Sequence, residues 1–168
     1  MPAIHLVEGP VGAGKSTFAA RLCLMNAAPR FILDDWMATL FRPDRPDTDI
    51  IPWYLERKRR CIDQIWNIAC DLIDTRTSVV LELGLIRRQD REDFYSRVDA
   101  AEFELKVYVL DTPEEVRRQR VRRRNIEKGS TFRMEVPDEM FEIANNLWEA
   151  PDSVECRERR ISFISANQ

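Results

Sequence analysis

Two rhythms of apolar residues alternate along the chain. Short apolar runs recur, and between them lie longer stretches in which apolar residues return every three or four positions. The short runs predict strands at Ile4-His5-Leu6-Val7, Arg30-Phe31-Ile32-Leu33, Ser78-Val79-Val80-Leu81-Glu82-Leu83, Leu105-Lys106-Val107-Tyr108-Val109-Leu110 and Arg160-Ile161-Ser162-Phe163-Ile164. The longer stretches predict helices. The first runs from Ser16 to Met25, and a short one follows from Trp36 to Phe41, with Asp34 as its expected N-cap. Prolines 43, 46 and 52 mark a loop. From Trp53 to about Thr75 the apolar positions Leu55, Ile62, Ile65, Trp66, Ala69, Leu72 and Ile73 keep helical spacing. Gln89 to Ala101 reads as a helix. Pro113 opens the next at a permitted first-turn position, and it runs to about Lys128, where Gly129 stops it. Pro137-Asp138 starts a helix through Leu147, and Pro151 breaks the chain again.

Strands alternating with helices imply an α/β fold with a parallel sheet and helices on both faces. The third strand is almost wholly apolar, as expected of a strand buried on both sides. No repeat, low-complexity tract or linker divides the 168 residues, so a single domain over 1–168 is expected. In such a sheet ligands bind beyond the carboxyl ends of the strands.

Composition narrows the class. Hydrophobic residues make up 44% and charged residues 33%, and no apolar run approaches the roughly 20 residues of a membrane span, so no membrane partner is expected. The N-terminus shows no signal-peptide pattern, and Cys23, Cys61, Cys70 and Cys156 are scattered without metal-ligand spacing. Both point to a cytoplasmic protein with reduced thiols. The one histidine, His5, lies inside the first strand, which argues against a Ser-His-Asp or multi-histidine site. A net charge of −3 gives no general attraction to polyanions.

The chemistry is concentrated at Gly9-Pro10-Val11-Gly12-Ala13-Gly14-Lys15-Ser16, a complete G-x-x-x-x-G-K-[ST] loop between a strand and a helix. Its glycines let backbone N–H groups turn inward around a polyphosphate, at the N-terminus of the following helix. Lys15 brings a compact charge to the β- and γ-phosphates, and Ser16 offers a hydroxyl to Mg²⁺. Gly9 to Thr17 are therefore the expected nucleotide-binding residues. The chain carries no N-K-x-D segment to read guanine, which leaves a small kinase or a nucleotide-dependent switch.

Three further groups fall at the expected ligand edge. Asp34 and Asp35 follow the second strand, where a carboxylate can take a proton from an acceptor hydroxyl; adjacent residues diverge, so one faces the phosphate, and Asp34 is expected to. The alternative is that both are helix-start residues. Glu82 ends the third strand in the place of an acidic Mg²⁺ partner, or is a buried acid paired with a cation. Six arginines lie between Arg117 and Arg124, of which Arg117, Arg120 and Arg124 share one helix face. They are expected to form a lid over the nucleotide, at about 113–137, against the reading of a solvated basic helix. Arg57-Lys58-Arg59-Arg60 is expected to be a solvated helix face.

These residues resemble the small P-loop kinases of the AAA-type ATP-binding group. That group includes the kinase domain of polynucleotide 5′-hydroxyl kinases and, more distantly, chloramphenicol phosphotransferases and zeta toxins. The resemblance spans roughly residues 3 to 148 and rests on Gly9 to Thr17, Leu33-Asp34-Asp35-Trp36, Val80-Leu81-Glu82-Leu83-Gly84 and Arg120-x-x-x-Arg124-Asn125. It implies a P-loop three-layer sandwich with a five-stranded parallel sheet of order 2-3-1-4-5. It also implies ATP and Mg²⁺, Asp34 as general base, and Arg120 and Arg124 as lid arginines. The chain departs from the nucleic-acid kinases at Met37, where they carry an arginine, and at Glu82, where Asp is more usual; no phosphatase partner domain is expected. Nucleotide handling carries over, while the acceptor does not. In this superfamily the acceptor is set between strands two and three, here Trp36 to Thr75, whose Trp36, Phe41, Trp53 and Tyr54 line a small-molecule pocket, stack on a base, or belong to the core. The expected function is ATP-dependent phosphoryl transfer to a hydroxyl of a small metabolite, nucleoside or antibiotic, by a monomer or homodimer. Polynucleotide 5′-phosphorylation and a slowly hydrolysing ATP-binding regulatory module are the alternatives.

Overall fold

Five parallel strands make the spine of the molecule: β1 (Ala3–Glu8), β2 (Arg30–Ile32), β3 (Val79–Glu82), β4 (Glu104–Asp111) and β5 (Ser162–Ser165), in the order β2-β3-β1-β4-β5. The computed structural model describes residues 1–129, 132 and 135–165. Each crossover is helical: α1 (Lys15–Asn26), α2 (Leu33–Trp36) and α3 (Ile50–Asp74), α4 (Arg88–Ala100), then α5 (Glu114–Glu127), α6 (Asp138–Leu147) and α7 (Ser153–Arg159). This is the expected P-loop α/β fold with the expected strand order.

The central strand β1 is buried along its whole length, and its register puts Ile4 beside Val79 and Leu105, and Leu6 beside Leu81 and Val107. Alternation sorts the two faces. Ile4, Leu6, Val79 and Leu81 pack with Ile65, Ala69, Phe94, Tyr95 and Val98 of α3 and α4. Val7 and Val80 face the other way, toward Ala19 and Leu22 of α1. His5 is buried on that second side against Tyr108, ring centroids 5.9 Å apart, a strand residue as expected.

Several boundaries differ from the expectation. The loop assigned around Pro52 ends earlier, because α3 begins at Ile50 and Pro52 occupies its first turn, where a missing N–H loses no helical bond. Asp34 is not an N-cap: α2 starts at Leu33, so Asp34 lies within its first turn, and no side-chain cap bond forms. The stretch read as one helix from Trp36 to Phe41 is instead the end of α2, a π-helical turn over Met37–Phe41 and a 3₁₀ turn over Arg42–Asp44. Pro113 precedes α5 rather than opening it, and α5 ends with Lys128 in the left-handed region (φ 47°), one residue before Gly129.

Helix α7 was not anticipated. Its signal is local: the Asp152 carboxylate accepts from the N–H groups of Val154 and Glu155, which starts a helix directly after Pro151. Glu155 then reaches inward. Arg91 donates to it through Nε at 2.7 Å and Nη2 at 2.9 Å, and the Tyr95 hydroxyl adds a third bond at 3.0 Å. All three side chains are buried, so α7 is fastened to α4 by a fully hydrogen-bonded ion pair. No helix among the described residues is long and apolar enough to cross a membrane.

Candidate active site

The loop between β1 and α1 is held by its carbonyls. Lys15 Nζ donates to the Pro10 carbonyl at 3.0 Å, Arg117 Nη1 to Val11 at 3.1 Å, and Thr112 Oγ1 and Arg120 Nη1 to Ala13 at 3.1 and 3.3 Å. Gly12 (φ 76°) and Gly14 (φ 97°) take left-handed conformations that carry the chain around the turn. Gly12 is also required by packing, since a Cβ there would stand 2.7 Å from the Arg117 carbonyl oxygen. The first-turn N–H groups of α1 have no carbonyl partner within the helix and open onto a cavity of about 770 Å³. An anion there meets the positive end of the helix as well as Lys15.

The cavity gathers residues from four segments. Val11, Gly12, Ala13, Gly14, Lys15, Ser16 and Thr17 line it, together with Asp34 and Asp35 after β2, Glu82 at the end of β3, and Arg120 and Arg124 on α5. Gly9 and Pro10 do not: Gly9 sits behind the loop, where a Cβ would come 3.1 Å from the Leu110 carbonyl oxygen. Arg30, Thr112 and Arg123 also line the cavity and were not anticipated there.

Glu82 is 6% exposed, and Ser16 Oγ donates to its Oε1 at 3.3 Å while Oε2 is buried without a hydrogen-bond partner. Desolvation raises its pKa, Lys15 pulls it down, and Asp34 raises it further. A hydroxyl beside a carboxylate with a spare buried oxygen fits Mg²⁺, which binds through one or two protein oxygens plus substrate phosphates. No cage of three or more His, Cys, Asp or Glu exists among the described residues, and such a site does not require one.

The arginine run divides into three jobs. Arg117 is buried; besides Val11 it donates to the Thr112 carbonyl (3.0 Å) and to Asn145 Oδ1 (2.6 Å), which makes it a strut between the loop, α5 and α6. Arg118, half-buried over the Phe141 ring, pairs with Glu114 and Glu142, while Arg122 pairs with Asp138 and Arg123 with Glu127, the solvated behaviour of a basic helix. Within this run, only Arg120 and Arg124 combine a cavity-facing position with no carboxylate partner within 4.0 Å among the described residues. The Arg124 Nε is buried without an acceptor; desolvation lowers its pKa, and the Asp34 carboxylate raises it. The expected lid range of 113–137 includes residues 130, 131, 133 and 134, which lie outside the described residues.

One acid was missed. Glu8 ends β1 directly before the loop; it is fully buried, and neither oxygen has a hydrogen-bond partner. Burial pushes its pKa up to about 8 against the pull of Lys15 and Arg91, with Glu82 adding to the rise. A charged residue closing an otherwise apolar strand was the available signal. The four aromatics between β2 and β3 are mostly structural. Trp36 packs edge-on against Phe31 with centroids 6.1 Å apart, and Phe41 and Trp53 flank the Arg57 guanidinium at 5.7 and 4.4 Å. Tyr54 is the one influenced by Asp34.

Solved structures share this fold at low identity. A gluconokinase from Sinorhizobium meliloti 1021 aligns with a TM-score of 0.61 and 18% identity, over 99% of this chain and 84% of that one. The APS kinase CysC of Mycobacterium tuberculosis, in complex with AMPPNP and APS, aligns with a TM-score of 0.61 and 15% identity, over 99% and 90%. A chain of the Pnkp1/Rnl/Hen1 RNA repair complex aligns with a TM-score of 0.63 and 23% identity, over 87% of this chain and 43% of that one. No curated protein matches the sequence. A family model described as AAA domain matches residues 4–150, which contain the loop, both carboxylate positions and the arginine helix, and the chain belongs to that family of P-loop kinase-like domains.

Proposed function

We propose that this protein is an ATP- and Mg²⁺-dependent phosphotransferase that moves the γ-phosphoryl group of ATP to a hydroxyl of a small metabolite, nucleoside or antibiotic. One observation carries the proposal: the phosphate loop, a carboxylate after β2, a carboxylate at the end of β3 and two arginines on α5 converge on a single cavity. A binding module needs the loop; Asp34 and the arginine pair are the additions that transfer calls for.

In this reading the triphosphate lies along the α1 N-terminus with Lys15 at its β- and γ-groups. Asp34 takes the proton of the acceptor hydroxyl as that oxygen bonds to the γ-phosphorus. The bond from phosphorus to the β–γ bridging oxygen breaks, and ADP leaves. Lys15, Arg120 and Arg124 balance the charge on the transferring group and on the departing ADP. Ser16 and Glu82 would hold Mg²⁺, which when bound neutralises charge on the β- and γ-phosphates.

A small acceptor is favoured over a polynucleotide by Met37. It stands where the nucleic-acid kinases carry an arginine, and it is buried against Leu33 and Cys61, with its sulfur 4.0 Å from Cys61 Sγ. Relatives differ in their acceptors, since the neighbours include a gluconokinase, an APS kinase and an RNA repair complex. A screen of labelled ATP against hydroxyl-bearing metabolites, antibiotics and a 5′-hydroxyl oligonucleotide tests the assignment. Label on a small acceptor is the expected result. Label on the oligonucleotide alone would replace the acceptor class, and ATP binding with no transfer to any acceptor would leave a regulatory module.

A further inference from the structure

The start of α3 presents a face that the phosphate machinery does not use. Tyr54 and Lys58 are four residues apart and share that face. Cys61 and Ile65 continue it and are buried toward the sheet, while Lys58 is half-buried and Tyr54, 40% exposed, lies at the solvent end of the face. Tyr54 and Lys58 reach two different strand ends. Partial burial, and after it the Asp34 carboxylate beyond β2, push the Tyr54 phenol up to about 12. Lys58 Nζ donates to the Gly84 carbonyl at 3.2 Å, two residues beyond Glu82 of β3.

Lys58 differs from the neighbouring and surface arginines that are neutralised by ion pairs. Arg88, Arg91, Arg97, Arg118, Arg122 and Arg159 all have carboxylate partners. Among the described residues no carboxylate lies within 4.0 Å of Lys58. One neutral carbonyl occupies one of its three donors and leaves its charge uncompensated. The space beside it is open: Gly84 has φ 59°, and a Cβ there would meet nothing within 4 Å. The helix start is also held firmly, with Arg57 stacked on Trp53 and Phe41 and so tying α3 to the π-helical turn that follows Asp34. The basic run on α3 is therefore not one solvated face: Arg59 and Arg60 pair with Asp63 and Glu56, while Lys58 points inward.

We propose that the phosphoryl acceptor is an anionic hydroxy compound whose carboxylate, sulfate or phosphate group binds Lys58 in the open space at Gly84, while Tyr54 orients its hydroxyl against Asp34. The inference rests on the phosphotransferase reading and names its substrate class. A neutral polyol would leave the ammonium unpaired. An anionic group placed between Asp34 and Glu82 would be repelled without it.

The test titrates the full-length protein, first saturated with AMPPNP and Mg²⁺ so that the phosphate loop is filled, with inorganic phosphate in a calorimeter. Saturable binding is expected, weakened about tenfold by Lys58→Gln and less by Tyr54→Phe, as for loss of a charge-assisted contact. Unchanged AMPPNP affinity in both variants certifies their folding. A wild-type protein that binds AMPPNP but no phosphate, or a Lys58→Gln protein that binds phosphate as well as wild type, would overturn the inference and leave the phosphotransferase reading standing. Failure of the wild type to bind AMPPNP overturns that reading itself. A second arm compares transfer to hydroxy acids and to the matched alcohols lacking the carboxylate: the acids should have the lower KM, with the advantage lost in Lys58→Gln, and equal KM values would refute the class. Displacement of phosphate by a 5′-hydroxyl oligonucleotide, with transfer to it, would assign the anion site to a nucleic-acid backbone and refute the small-acceptor form.

Discussion

At the scale of single residues, neighbouring carboxylates have different environments and so different expected roles. Asp34 is exposed on the cavity wall, close enough to Arg124 and Tyr54 to influence both. Asp34→Asn should keep ATP binding and lower transfer by at least about 10²-fold, the lower range for general acid–base catalysis. Asp35→Asn should do less, and a steady-state comparison of the two variants in which Asp35→Asn proves the more damaging would reassign the base. Glu8 makes the opposite case, a carboxyl whose burial disfavours its charge. Its native pKa of about 8 lies above the ordinary 4.5, so the folded protein holds this proton more tightly than the unfolded chain does. That contribution is whole below about 4.5 and is lost as pH rises toward about 8. Lys15, Arg91 and Glu82 are the charged groups that act on it. Glu8→Gln removes the titration, so its melting temperature should gain on wild type between about pH 5 and pH 8.5, by roughly 2–4 °C for each kcal/mol relieved. Parallel melting curves for the two proteins across that range would show that Glu8 does not titrate there.

At the scale of elements, the sequence announced what local chemistry dictates and concealed what depends on packing. The phosphate loop was legible because its glycines, lysine and serine form a fixed pattern with one use. The strands were legible because burial on both faces demands continuous apolar runs. Helix α7 was only partly legible: its Asp152 cap is a local signal behind Pro151, but the Glu155 contact that docks it reaches a partner 64 residues away on α4. The arginine run was half legible. Spacing put Arg117, Arg120 and Arg124 on one face, but only tertiary contacts reveal that Arg117 is spent on the carbonyls of Val11 and Thr112. The two classes of arginine should separate by experiment. Arg117→Met strands buried carbonyls and should cost about 2–4 kcal/mol of stability, read from urea unfolding. Arg124→Ala should change stability by less than about 1 kcal/mol and reduce transfer by about 10²-fold, more than it weakens ADP binding, because ADP lacks the γ-phosphate. Equal destabilisation by both would erase the distinction.

At the scale of the whole molecule, α5 and α6 behave as one piece. Arg118 bridges Glu114 and Glu142, Arg122 holds Asp138 through two bonds of 3.0 and 2.6 Å, and Asn125 both donates to and accepts from the Val136 backbone. The near end of this piece is anchored, since Arg117 and Val121 are buried and Gly12 packs directly against both. A lid swinging from residue 113 would tear that anchor out, at the cost of several buried hydrogen bonds. Closure over the triphosphate is therefore expected beyond Val121, where Arg124 carries a buried Nε with no acceptor and exposure rises toward Lys128. In the proposed reaction an incoming γ-phosphate would supply that acceptor, draw the end of α5 inward and exclude water, which would strengthen every charge interaction in the site. Hydrogen exchange with and without AMPPNP reads this directly. Amides of residues 113–121 should be protected in both states, whereas those of 122–129 and 135–137 should slow by about tenfold or more on binding, a shift of at least about 1.4 kcal/mol in local opening. If 113–121 gained protection to the same degree, the anchor would be part of the moving element, and the rigid strut assigned to Arg117 would have to be abandoned.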